Sequence, residues 1–382
     1  MPPLEPLRPE SARDPGVRRV LDRALDGGRL DAEEITLLFE RGEVIELGAV
    51  AHAIASRRNP DGVITYIVDR NVNYTNVCDV YCKFCAFYRV EGDADAYVLS
   101  KEQIGRKIEE TIALGGRQIL MQGGNHPTLA IEWYEDLVRF IKSYGIHLHG
   151  FSPTEIENIA KLSSLTIPET VRRLRDAGLD TIPGGGAEVL AERVRRRVAP
   201  LKTTADGWIA VMRAAHELGM RSTCTMMFGH RETIAERVEH LLRLRDLQDD
   251  TGGFTAFICW TFQSGNSKLD LPEIGPREYL RTLAIGRLAL DNIGNHQSSW
   301  VTQGPHVGQL ALRFGANDMG STMIEENVVA SAGTVFAMDE PMIRRMIRSA
   351  GYVPRRRNVY YELLPEPGEE LATAAATAPD YS

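Results

Sequence analysis

From Ile64 onward, short apolar or β-branched runs alternate with amphipathic stretches. The runs lie near 64–77, 118–122, 146–151, 180–183, 221–228, 254–262, 297–302 and 318–324, and their length and composition predict strands. Apolar positions at helical spacing fill the stretches near 100–114, 131–144, 168–177, 204–218, 232–248, 276–291, 305–314 and 339–349. Ser100 with Gln103, and Thr166 with Glu169, have capping-box spacing, while Gly115, Gly145, Gly178 and Gly219 stand where helices stop. Repeated strand–helix units predict an α/β fold, a parallel (β/α)8 TIM-type barrel with its ligand site at the C-terminal ends of the strands. The last two units carry the weakest pattern, so a six-stranded partial barrel with a C-terminal cap is the alternative.

Ahead of the barrel, three short helices are predicted near 15–26, 32–40 and 46–57, with Asp31 as an N-cap and Gly27-Gly28 ending the first. The pattern divides the chain into an N-terminal helical extension (1–60), a barrel with C-terminal cap elements (61–350) and a C-terminal segment (351–382). Residues 1–14, proline-rich and charged, are expected to fray, and the tail after about 365 is expected to be disordered.

Composition changes this picture only by exclusion. A chain of 382 residues with 43% hydrophobic content can bury a large core. A formal net charge of −8 disfavours sequence-independent nucleic-acid binding. Five cysteines, an odd number, fit a reducing compartment better than a disulfide scaffold. The start, Met1 to Glu10, lacks an apolar signal core, and no run of about 18 apolar residues occurs. The expectation is a cytoplasmic protein that uses neither membrane nor nucleic acid.

The chemistry is concentrated in residues 71–89, where Cys78, Cys82 and Cys85 are spaced C-x3-C-x2-C. Three soft thiolates on one tight loop can hold three irons of a [4Fe–4S] cube and leave the fourth iron open to a small molecule. Cys224 and Cys259 fall in apolar runs and are read as buried. A structural zinc site would want a fourth Cys or His, and the nearest histidines in sequence are His52 and His126.

With Phe84 in its last gap, this loop resembles the cluster loop of the radical S-adenosylmethionine enzymes. The longer string N-Y-T-N-x-C-x3-C-K-F-C-A-F-Y-R is similar to the branch of that superfamily that builds menaquinone through futalosine, together with its deazaflavin-forming relatives. The resemblance spans roughly residues 60–350. It implies two cofactors, the [4Fe–4S] cluster on Cys78, Cys82 and Cys85 and S-adenosyl-L-methionine on the open iron.

Further cofactor contacts follow from the same resemblance. Gly123-Gly124-Asn125 ends the second predicted strand where the superfamily has a Gly-Gly-Glu-like turn that holds the cofactor's amino group; here Asn replaces Glu. A plain βα turn is the competing reading. Gly184-Gly-Gly-Ala-Glu188 is similar to the futalosine-pathway enzymes and makes Glu188 the candidate for the ribose hydroxyls. Thr223 to Glu232 is similar to a G-x-I-x-G-x-x-E pattern, with Gly229 and Glu232 matching, Thr225 replacing the first Gly, and the backbone expected to meet adenine. For Glu232 the alternative is an ordinary acid in a helix's first turn.

The segments Met121 to Pro127, Gly252 to Gln263, Ser298 to Gly304 and Phe314 to Thr322 resemble the cyclising enzymes of the futalosine branch, although Cys259 stands where that pattern has Pro. The implied substrate is dehypoxanthine futalosine. The implied reaction removes the ribose C4′ hydrogen, attacks the benzoate ring carried by the same molecule, and restores aromaticity by loss of an electron and a proton. A flavodoxin or ferredoxin is the implied electron donor. The alternatives are aminofutalosine synthase and the second subunit of the deazaflavin synthase.

Two motifs pull elsewhere. His147 and His149 share one strand face and invite comparison with the His-x-His of metal-dependent barrel hydrolases. The run Arg193 to Arg197 is read as a solvated helical face, not as a phosphate or RNA site. The stretch Phe151 to Glu155 is expected among substrate-facing loops.

Overall fold

The computed structural model describes residues 14–366. Its strands are β1 (Val63–Ile67), β2 (Asp69–Val72), β3 (Gln118–Met121), β4 (His147–Gly150), β5 (Thr181–Ile182), β6 (Arg221–Phe228), β7 (Phe254–Thr261), β8 (Asn295–Gln297), β9 (Asp318–Ser321) and β10 (Val353–Arg356). Every pairing is parallel, in the order β10-β1-β9-β8-β7-β6-β5-β4-β3-β2. Only Val68 separates β1 from β2. Because β1 pairs with β9 and β2 with β3, the two ends of the sheet meet in one continuous run, and the ring closes. Taking that run as one stave, β3 to β9 supply seven more, which makes the eight-stranded barrel that the alternation predicts. β10 is wedged beside β1 below β3, through the register Val63↔Val353 to Tyr66↔Arg356.

The expected barrel helices all form, from Lys101–Ala113 to Glu340–Ser349. Both predicted capping boxes are present, and the four stop glycines have φ of 82°, 69°, 119° and 78°, a region that side chains disfavour. The first helices run Pro15–Leu25, Ala32–Arg41 and Val44–Arg58, with Asp31 capping the second. They are bound to the barrel by two arginines, Arg245 buried and Arg281 half-buried. Arg245 donates to Leu30 O (2.7 Å), and Arg281 donates to Phe39 O (3.0 Å) and Gly42 O (2.9 Å). Most of the N-terminal segment expected to fray, and the tail expected to be disordered, lie outside the described residues.

Three expectations need correction. The seventh barrel strand ends at Gln297 and the chain turns into a helix at Trp300–Gln303, because the Trp300 indole is buried and donates to Ser321 O (3.0 Å) instead of extending the sheet. Phe151 to Glu155 is no loop: Ser152 caps a helix, Pro153–Leu162. The arginine run forms a short helix, Glu192–Val198, whose Arg195 is 4% exposed and turned inward. Its guanidinium donates to Thr203 O (2.6 Å) and Ala187 O (2.5 Å), so it fills a carbonyl-lined hole.

Alternation decides which side chains enter the barrel. Arg70 reaches outward to Glu110 (2.7 Å) and Ser222 outward to His216 (2.7 Å), so Asp69, Asn71 and Thr223 face the interior. The floor of the interior is sealed by polar pairs. Asp318 takes a two-pronged ion pair from Arg357 (2.6 and 2.9 Å) and a hydrogen bond from Thr65 (2.6 Å). Asp69 accepts from Gln118 (2.6 Å) and from Ser321. Behind them Tyr361 stacks over Arg357, 4.0 Å from its ring centre, so the segment after β10 plugs the N-terminal mouth.

Candidate active site

The loop that follows β2 is built to hold its three cysteines in place. The Thr75 hydroxyl donates to Tyr97 O (2.6 Å) and Asn76 bonds both Asp95 O (2.9 Å) and the Tyr97 amide (2.8 Å), which ties the loop to the returning strand segment. This is the physical content of the Thr75-Asn76 signature. Cys78 N–H donates to Arg89 O (3.0 Å) and Arg89 N–H to Asn76 O (2.8 Å). The Arg89 guanidinium then gathers the carbonyls of Ala86, Phe87 and Tyr88 (3.2, 3.3 and 2.9 Å).

All three cysteines are free thiols. Burial pushes the Cys82 thiol up to about 12 and raises Cys78, and in both the neighbouring thiols add to the rise. Such thiols ionise only against cations. One cation is on hand: Lys202, whose charge acts on Cys82 and whose Nζ lies 5.4 Å from the Phe84 ring centre.

The Gly123-Gly124 turn packs directly under this loop. Gly124 N–H donates to Thr75 O (2.9 Å), and a Cβ on Gly124 would lie 2.2 Å from Val77 O and 2.9 Å from the Cβ of Cys78. A Cβ on Gly123 would meet the Tyr74 ring at 2.7 Å. Only glycine fits either position. Glu155, which is fully buried, accepts from Gly123 N–H (3.0 Å), the Tyr74 hydroxyl (2.9 Å) and the Ser152 amide and hydroxyl (2.7 Å each). The Asn125 amide donates to Thr154 O (3.3 Å), so the residue that replaces Glu is tied to the barrel wall.

Glu188 adopts φ of 43° and lies between two cations, with Lys202 Nζ at 2.8 Å and Arg195 at 3.5 Å. Burial works to raise its carboxyl, but Lys202 and Arg195 prevail and hold it below the usual carboxylate range. Gly229, with φ of 91°, donates its N–H to Glu232 (2.6 Å). Glu232 also takes the His230 amide (2.9 Å) and Arg237 (2.9 Å), and its side chain is 1% exposed. Its carboxylate is committed to shaping the Gly229 turn. Phe84, Gly123, Gly124, Asn125 and Glu188 are thus brought to the cluster loop or its neighbours, while Glu232 acts one layer back.

Cys224 and Cys259 are buried in β6 and β7, away from the loop. Among the described residues, no three His, Cys, Asp or Glu side chains converge tightly enough to hold one metal ion. Cysteines that each serve a different iron do not have to converge on one point. His147 and His149 meet neither a carboxylate set nor each other; both bond the Thr181 hydroxyl at 2.8 Å.

Sequence reasoning missed Lys202, Arg195, Glu155 and Gln122. Gln122 lies against the triple-glycine turn, where a Cβ on Gly185 would be 2.1 Å from its amide nitrogen. The spacing Ser152-x-x-Glu155 with Pro153 at the first helical position was a readable cap signal for Glu155. Lys202 carried no local signal.

Comparison with known proteins places this geometry. Residues 72–244 match the radical SAM superfamily, and residues 251–370 match the CofH/MqnC C-terminal region. A cyclic dehypoxanthine futalosine synthase from Halalkalibacterium halodurans is 50% identical over 348 residues, 90% of this chain and 94% of the relative. Its counterpart from Streptomyces coelicolor is 45% identical over 351 residues, 90% of this chain and 88% of the relative. This chain belongs to the cyclic dehypoxanthine futalosine synthase family of radical SAM enzymes. An aminodeoxyfutalosine synthase from Thermus thermophilus is more distant, at 37% over 360 residues, 91% of this chain and 96% of the relative. Among solved structures, the [FeFe]-hydrogenase maturase HydG aligns with a TM-score of 0.73 at 16% identity, covering 97% of this chain and 82% of that one, which shows the shared fold.

The cofactors of the radical SAM superfamily are a [4Fe–4S] cluster and S-adenosylmethionine, and the residues present suit them. Three unpaired thiols on a loop that is pinned at both ends are soft ligands of the kind an iron–sulfur cluster takes. The glycine turn beneath them leaves backbone, not side chain, against the cluster loop.

Proposed function

We propose that this chain converts dehypoxanthine futalosine to its cyclic form in menaquinone biosynthesis. The observation that carries the reading is 50% identity over 90% of the chain to a relative named for that product. Bound together, the cluster and S-adenosylmethionine would supply the one-electron radical chemistry needed to remove a hydrogen atom that side-chain acid–base chemistry cannot reach. In this reading Cys78, Cys82 and Cys85 would hold the cluster, with Phe84 in the same loop beside them. Gly123, Gly124 and Asn125 would offer backbone to the methionyl end of S-adenosylmethionine, Glu188 would accept from ribose hydroxyls, and Gly229, shaped by Glu232, would meet adenine. The protein's own contribution is position and exclusion of water: the ribose carbon must be held against the benzoate ring of the same molecule in a closed lumen. A flavodoxin or ferredoxin is the proposed donor of the electron. No helix of the described residues is long and apolar enough to cross a membrane.

The test is anaerobic turnover of reconstituted protein with S-adenosylmethionine, dithionite and dehypoxanthine futalosine, read by mass spectrometry. The expected result is a product lighter than substrate by two hydrogens, with 5′-deoxyadenosine alongside and both abolished in Cys82→Ala. If 5′-deoxyadenosine forms without that product, the substrate assignment falls.

A further inference from the structure

Ring closure creates a proton problem that the barrel has to solve. When the ribose radical adds to the benzoate ring, the attacked carbon keeps its hydrogen as well as the new C–C bond. Restoring aromaticity breaks that C–H bond, and one electron leaves to a one-electron acceptor of the iron–sulfur class. The proton leaves separately and needs a base. The carboxylates around the interior are occupied. Asp318 is held by Arg357 and Thr65, Asp69 by Gln118 and Ser321, Glu155 by Gly123, Tyr74 and Ser152, and Glu188 by Lys202 and Arg195.

His149 stands in the middle of β4, in register with Leu120 of β3 and Thr181 of β5. Its Nδ1 bonds Thr181 Oγ at 2.8 Å, and the same Oγ bonds His147 Nε2 at 2.8 Å. One hydroxyl has one hydrogen and two lone pairs, so it can accept from one ring while it donates to the other. The path continues toward the floor: His147 Nδ1 lies 3.9 Å from Asp180, which is itself paired with Lys142 at 2.6 Å. The Tyr360 ring covers His147 edge-on at 5.6 Å. There a cavity of about 60 Å³, lined in part by Arg117, Gln118, His147, Arg356 and Tyr360, opens where β10 diverges from β3. That volume accommodates one or two waters.

Resting on the proposed cyclisation, we propose that His149, Thr181 and His147 form a proton relay that carries the ring proton from the barrel interior to this floor cavity. The proton arrives at Nε2 of His149, the Nδ1 proton passes to Thr181 Oγ, and the hydroxyl proton passes to His147 Nε2. The resulting imidazolium sits beside Asp180 and discharges to water. Burial pulls both imidazoles below the ordinary histidine range, His149 to about 3, with His147 and Arg357 adding repulsion there. His149 therefore waits neutral and cannot retain the proton it accepts. The direction of the relay also suits the architecture, since the opposite mouth is taken by the cluster loop.

The holoenzyme of wild type, Thr181→Val, Thr181→Ser and His147→Gln is compared in the turnover assay above, with cyclised product counted per 5′-deoxyadenosine. A packing defect lowers both yields together and leaves their ratio alone. The relay requires the ratio to fall at least about tenfold in Thr181→Val and His147→Gln, and to stay near wild type in Thr181→Ser, in line with the size of general-base effects. A wild-type ratio in Thr181→Val and His147→Gln overturns the relay. His147→Gln touches only the outer end of the path, so it decides the matter where Thr181→Val folds poorly. Absence of cyclised product from wild type itself is a separate outcome, and it overturns the function, not the wiring.

Discussion

Gly124 has no space for a methyl group, because the obstacle at 2.2 Å is the backbone carbonyl of Val77, which cannot rotate away. Gly124→Ala must displace the cysteine loop, so iron and sulfide content after reconstitution should fall sharply, and unfolding should shift by the roughly 1–3 kcal/mol typical of overpacking. Lys202→Met leaves Glu188 with Arg195 alone at 3.5 Å in a buried site. Breaking a buried pair in this way costs about 3–5 kcal/mol, measurable by urea unfolding of the anaerobic protein. The three cysteines were legible because they are neighbours in the chain and their spacing is itself the signal. Lys202 was not: it reaches Glu188 from 14 positions away and Phe84 from the far side of the loop, contacts that no local pattern encodes.

At the scale of elements, caps and glycine stops were read correctly because both rest on the conformational preferences of one or two residues. The same capping-box chemistry serves two different purposes, and a pair of variants separates them. Ser100→Ala removes a cap on an outer helix and should cost about 1 kcal/mol without altering cofactor binding. Ser152→Ala removes the same kind of cap, yet its partner Glu155 also holds the Gly123 amide. It should cost at least as much and in addition weaken S-adenosylmethionine binding severalfold, as isothermal titration would register; equal behaviour of the two variants would contradict a positioning role for Glu155. In the helix at Glu192–Val198 the solvated face predicted from the run of arginines holds for Arg193, Arg196 and Arg197, and Arg195 alone departs from it, because a hole lined by backbone carbonyls draws it inside.

For the molecule as a whole, closing the barrel and packing helices around it buries histidines in neutral form. Burial first, with nearby arginines adding to it at all three, lowers His149 to about 3, His216 to about 4 and His240 to about 3. A base whose folded pKa is depressed carries no penalty above its unfolded value near 6.5, since both states are then neutral. Below that value the unfolded chain binds protons that the native chain refuses, so stability falls with pH until the folded pKa is reached. The slope approaches about 1.4 kcal/mol per pH unit for each such histidine. Urea unfolding of the anaerobic holoenzyme should therefore show constant stability from pH 8 to about 7 and a steep decline by about 5.5. A flat profile through this range would show that these imidazoles take up protons in the native state as readily as in the unfolded chain.

The strand–helix alternation, the cap residues and the C-x3-C-x2-C loop follow from the sequence alone, because periodicity, backbone preference and ligand spacing are local properties of a chain. Tertiary structure alone decided that the ring closes through the single run around Val68, that β10 and Tyr361 seal the floor, and that Lys202 and Arg195 clamp Glu188. It also brought His147 and His149 to one hydroxyl on the next strand. These arrangements depend on which distant segments become neighbours, and that is set by the register of a closed parallel sheet and by the cost of leaving a buried charge or a buried polar atom without a partner.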